Sequence, residues 1–148
     1  MRATTLFLAS LSLFVLSALA GSAAQDATSQ EPTALARQME RIEEALGGLR
    51  RSVRDPEKRE ESLAAVLVCQ EALVACKREV PAMTGRVPEG ERESFLRDYR
   101  LELIRLERAL LDLEEGLLQG KDVETLRDLY KAIKGLEDPA HERFTEDG

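Results

Sequence analysis

The chain has no tryptophan, one histidine and two cysteines in 148 residues, and aromatic residues make up only 4% of it. One histidine excludes a multi-histidine metal site within a single protomer, and it leaves any imidazole-dependent acid–base scheme one candidate. Positive charge is also in deficit, with 21 Lys and Arg against 28 Asp and Glu, a formal net charge of −7 and a pI near 4.9. Non-specific nucleic-acid binding depends on Lys and Arg neutralising phosphates, so neither nucleic acid nor an anionic membrane surface is an expected partner. What is present in quantity is aliphatic and charged together, 43% hydrophobic and 33% charged. That mix belongs to solvated amphipathic helices rather than to packed β-sheets or disordered chains, and the length suits one domain.

The first residues read as an address. Arg2 precedes an apolar run from Leu6 to Leu19, which ends in Ala18-Leu19-Ala20, the small-x-small form of a signal-peptidase site. Residues 1–20 are therefore expected to be a cleaved signal peptide, with cleavage after Ala24 a near alternative. A membrane anchor is the other reading of this run, which is short for a span of about 20 apolar residues. Cleavage removes Arg2 and takes the formal charge from −7 to −8. Residues 21–32 are small and polar, with nothing to bury, and are read as a disordered leader.

From Leu35, the residues Met39, Ile42, Leu46, Leu49 and Val53 recur at helical spacing and predict a first helix to about Arg54. Asp55-Pro56 combines an N-cap with proline at the first helical position, so a second helix starts there. It carries Val66, Cys69, Leu73, Cys76 and Val80, and Pro81 is expected to stop it. A loop with two Gly and a Pro follows at residues 82–90. Phe95, Tyr99, Leu103, Leu106, Leu110, Leu113 and Leu117 define the third helix, closed by Gly120. Asp122 is expected to cap the fourth, with Leu126, Leu129, Ile133 and Leu136 on its apolar face. Short connections make sequential helices run against each other, so the expected fold is an all-α, antiparallel up-down-up-down four-helix bundle over residues 33–144.

Export makes two cysteines look like a disulfide, but Cys69 and Cys76 lie two turns apart on one helix, about 10 Å between Cα atoms. A disulfide needs about 4.4–6.8 Å, so buried free thiols are expected, with an intermolecular bridge as the alternative. Neither cysteine belongs to a C-x-x-C-H sequence, which excludes covalent haem attachment of the c type. Nothing provides a third group to orient a Cys–His141 nucleophilic pair, and no enzyme activity is expected.

Met39 taken alone fills core space, and His141 taken alone is a surface histidine. In an antiparallel bundle, however, the start of the first helix and the end of the fourth share one end. That brings together a thioether and an imidazole, a known pair of haem-iron ligands. Phe95 and Tyr99, early on the third helix, belong to the same end and could pack on a porphyrin face.

With Met39-Glu40-Arg41-Ile42 and Leu46, Lys77 to Pro81, Phe95-x-x-x-Tyr99, Gly120-Lys121 and His141-Glu142-Arg143-Phe144, the chain resembles the soluble cytochrome b562 family from Leu35 to Phe144. The resemblance implies a periplasmic b-type cytochrome holding one non-covalent haem b, with Met39 and His141 as axial ligands and Phe95 and Tyr99 packing on it. It departs from the pattern at Pro139, which opposes a continuous helix through Gly135, and at Glu137, where the family prototype has a basic residue. Two axial ligands leave no open iron position, so the implied activity is one-electron transfer to a redox protein partner, by a monomer. The alternative is a haem-free exported bundle acting as a protein-interaction or structural module.

Overall fold

The computed structural model describes residues 31–144. The signal peptide expected at 1–20 and nearly all of the leader expected at 21–32 lie outside the described residues. Those described are all-helical, with no strand among them, in four helices: α1 (Ala34–Ser52), α2 (Arg59–Cys76), α3 (Arg92–Leu118) and α4 (Val123–Phe144). None of these helices is long and apolar enough to cross a membrane.

α1 starts where Thr33 Oγ1 accepts from the Ala36 amide at 3.1 Å, satisfying one of the unpaired donors of its first turn. Arg50 and Arg51 place positive charge in the last turn, where the helix dipole favours it. Its 3.6-residue stripe buries Ile42, Leu46 and Leu49, as the spacing predicts. The Asp55-Pro56 signal also holds, with Asp55 Oδ1 accepting from the Glu57 amide at 3.0 Å. What it opens is a short 3-10 turn, Pro56–Lys58, and α2 follows directly. Across this junction the Ser62 hydroxyl donates to Ser52 Oγ at 2.9 Å, so two fully buried hydroxyls are satisfied without water.

α2 ends earlier than its periodicity suggests. Cys76 is its last residue, and Val80, expected on the buried stripe, is 62% exposed. Donors from α3 explain the difference: the Tyr99 hydroxyl takes the Cys76 carbonyl at 3.0 Å, and Arg100 donates to the Lys77 carbonyl. The Glu79 amide also reaches the Cys76 carbonyl at 3.1 Å, and with these carbonyls satisfied the chain can leave the helix before Pro81 forces it to. The connection expected as a loop at 82–90 contains two 3-10 turns, Ala82–Arg86 and Glu89–Glu91.

The end of α3 is set by Gly120, whose φ of 69° suits glycine far better than an L side chain. Its amide reaches the Leu117 carbonyl at 3.1 Å, and the Lys121 amide reaches Gly116 at 3.0 Å, the paired bonds of a Schellman cap. Asp122 then caps α4, accepting from the Thr125 amide at 2.9 Å and from its hydroxyl at 2.8 Å. These bonds hold the Asp122 carboxyl below its ordinary pKa. Gly116 lets α4 come close, since a Cβ there would stand 3.0 Å from a methyl of Leu129.

Pro139 opposes a continuous helix, yet α4 runs through it to Phe144. Proline removes the amide that would bond the carbonyl of Gly135. Gly135 is exposed with open space around it, so water can take that carbonyl and the helix continues.

Candidate functional site

One end of the molecule gathers aromatic side chains. Tyr99 is 4% exposed and Phe144 3%. The Phe144 ring lies 5.1 Å from that of Phe95 and 5.3 Å from that of Tyr99, tilted and edge-on respectively, the geometry that ring quadrupoles favour. Arg143 stacks its guanidinium over Phe144 at 5.1 Å and pairs with Asp98 at 2.7 Å, tying the end of α4 to the start of α3. Burial raises the pKa of the Tyr99 hydroxyl, which keeps it a donor to the Cys76 carbonyl.

Of the residues expected to form a site, Phe95 and Tyr99 are brought together through Phe144. Met39 is half-buried on α1 and packs against the core. His141 is exposed on α4. At 100° per residue, His141 stands about 80° around the helix from the buried Ile133, whereas Phe144 stands about 20° from it. Phe144 is therefore the residue of the terminal segment that faces the core. Its spacing of three turns from Ile133 was the signal for it.

Glu137 donates nothing but is engaged: Lys134 bonds it, and also reaches Asp138 at 3.0 Å. The lysine's hydrogen bond holds the Asp138 carboxyl below the ordinary value.

A thioether and an imidazole make a donor set for haem iron rather than for a hard cation, which prefers oxygen. The described residues contain no group of three or more His, Cys, Asp or Glu placed to hold a metal ion. The chemistry of Met39 and His141 thus fits a haem, whereas a porphyrin face laid on Phe95 and Tyr99 would take the place Phe144 holds. Comparison of the chain with protein-family models, curated proteins and solved structures gives no match.

Cys69 and Cys76 are free thiols, fully buried. Burial, with the charge of Glu137 adding, pushes the Cys69 thiol up to about 12. Burial, with a smaller contribution from Glu79, pushes Cys76 up to about 11. Neither is a thiolate ligand at neutral pH. The unfolded chain, with ordinary thiols near 9.0, sheds these protons first as pH rises. The folded state then binds more protons, and stability falls with pH from about 9 up to the folded values of 11 to 12. Urea midpoints at pH 8 and pH 10.5 are expected to differ more for the wild type than for a Cys69→Ala/Cys76→Ala variant.

A cleft of about 360 Å³ lies elsewhere, lined by Ser52, Arg59, Ser62, Lys121, Asp122 and Leu126 among others. None of Met39, Phe95, Tyr99 or His141 lines it.

Proposed function

We propose that the four helices form an antiparallel up-down-up-down bundle and that the chain is an exported, periplasmic b-type haem protein, a one-electron carrier and not an enzyme. Met39 and His141 would hold one non-covalent haem b through its iron.

Cross-contacts support the arrangement, because partners rise along one helix as they fall along the next. Cys69 Sγ reaches the Ile42 carbonyl while Ser62 reaches Ser52. Gln70 bonds Glu114 while Lys77 bonds Glu107, and Gly116 approaches Leu126 and Leu129 while Asp98 meets Arg143. In such a bundle Met39, Phe95, Tyr99 and His141 share one end. The Tyr130 hydroxyl donates to the Leu46 carbonyl at 3.2 Å. Carried outward along both helices, that register sets Met39 level with Glu137, about 6 Å or one turn short of His141.

What supports the reading is the Tyr130–Leu46 contact between α4 and α1, from which the Met39 thioether and the chain's one imidazole fall within about one turn of each other along the two helices. Haem held between them supplies a ferric/ferrous couple whose potential the thioether raises. Met39 would offer its sulfur from its half-buried position on α1 and His141 its imidazole from the exposed side of α4, and a haem seated against Phe95 and Tyr99 would displace the Phe144 ring. A formal charge of −8 after signal cleavage suits a basic redox partner.

Titrating the mature chain with hemin tests this. A one-to-one complex with a low-spin b-type spectrum is expected. A chain that stays colourless would favour the second reading, a haem-free exported bundle, for which the packing of Phe144 between Phe95 and Tyr99 is the supporting observation.

A further inference from the structure

The cleft of about 360 Å³ contains none of the residues proposed to hold haem, and its size falls at the lower end of the range of small-molecule sites. It lies where the α1–α2 junction meets the α3–α4 turn, with Val53, Pro56, Leu117, Val123 and Leu126 as its apolar lining. Its charged residues are Asp55, Arg59, Lys121 and Asp122. Ser52 and Ser62 also line it, but their hydroxyls bond each other.

The four charges are not equivalent. Both Asp122 oxygens accept from Thr125, and Asp55 Oδ1 accepts from the Glu57 amide, so the carboxylates are taken up by helix starts. Neither Arg59 nor Lys121 makes an ion pair or a side-chain hydrogen bond among the described residues. Arg59 Nε is buried without a partner, a state that polar atoms of folded chains rarely keep. The end of the guanidinium lies against Gly120, where a Cβ would stand 3.2 Å from one of its nitrogens. A turn of the side chain into the cleft it lines would present Nε and a neighbouring Nη as a fork, the arrangement that matches the two oxygens of a carboxylate. Lys121, exposed beside Gly120, adds a second cation to the same cleft.

We propose that this cleft binds a small organic monocarboxylate with an apolar body, its carboxylate held by Arg59 and Lys121 and its hydrocarbon laid on Leu117, Val123 and Leu126. The lining and the charge count choose that class. Apolar walls favour a ligand that has hydrocarbon to bury. Asp55 and Asp122 balance the two cations in number, so a single added negative charge is tolerated better than the two of a phosphate dianion. What the ligand supplies is an acceptor for Arg59, which no side chain of the cleft provides.

Equilibrium dialysis of the full mature chain against labelled octanoate tests the proposal. One octanoate per chain is expected, with a Kd below about 1 mM. Octanol, which lacks the charge, acetate, which lacks the apolar body, and inorganic phosphate should each compete about tenfold less well or worse. Arg59→Gln should weaken octanoate binding by about tenfold. Lys121→Gln, at an exposed position where the fold does not depend on it, should act in the same direction. Arg108→Gln, which removes an exposed cation of α3 outside the cleft, should change nothing. No octanoate bound at millimolar concentration would overturn the proposal. So would octanol, acetate or phosphate competing as well as octanoate, or an affinity that neither Arg59→Gln nor Lys121→Gln lowers.

Discussion

Replacing Phe144 by alanine is expected to destabilise the fold by about 3–5 kcal/mol, the usual cost of deleting a buried aromatic side chain. Phe144 is 3% exposed, and its loss removes two ring contacts together, with Phe95 and with Tyr99. The stacked guanidinium of Arg143 loses its platform as well. Phe144→Leu, which keeps apolar volume and gives up ring geometry, should cost much less. Urea denaturation followed by far-UV circular dichroism measures both. A Phe144→Ala midpoint within error of the wild type would mean that the end of α4 contributes nothing to the cooperative unit.

The second large effect concerns the two residues proposed to hold haem. In the hemin complex, Met39→Ala is expected to leave one axial ligand and convert a low-spin spectrum to a five-coordinate or high-spin one. His141→Ala should weaken haem binding further, because imidazole is the stronger of the two donors. Low-spin spectra unchanged in both variants would overturn this ligand assignment. Neither substitution should unfold the chain, since His141 is exposed and Met39 half-buried. Stability of the haem-free protein therefore separates loss of ligation from loss of fold.

The helices were legible because their signals are local. Asp55, Gly120 and Asp122 each act through bonds to residues within four positions, so sequence alone states what they do. The stop of α2 was not legible. Val80 continues the apolar spacing, and the Cys76 and Lys77 carbonyls at the helix end are taken by the Glu79 amide nearby and by Tyr99 and Arg100, far along the chain. The effect of Pro139 was not legible either, since its cost depends on whether water can reach the carbonyl of Gly135. From the order of the helices, Met39 and His141 are expected at one end of a bundle. The aim of the imidazole was harder to read, because three residues of difference on α4 separate the buried Phe144 from the exposed His141.

The connection between α3 and α4 occupies only residues 119–122, with its own stop and start signals built in. Closing so short a loop costs little chain entropy, so the first tertiary contacts of the folding chain should be those of Gly116 with Leu126 and Leu129. α2 and α3 are joined by the longer segment 77–91, and their contacts close a larger loop. A fold whose contacts are this local belongs among the fast folders, on the microsecond to millisecond scale. The order of events would run from the tight α3–α4 turn outward, leaving the α2–α3 seam to form late.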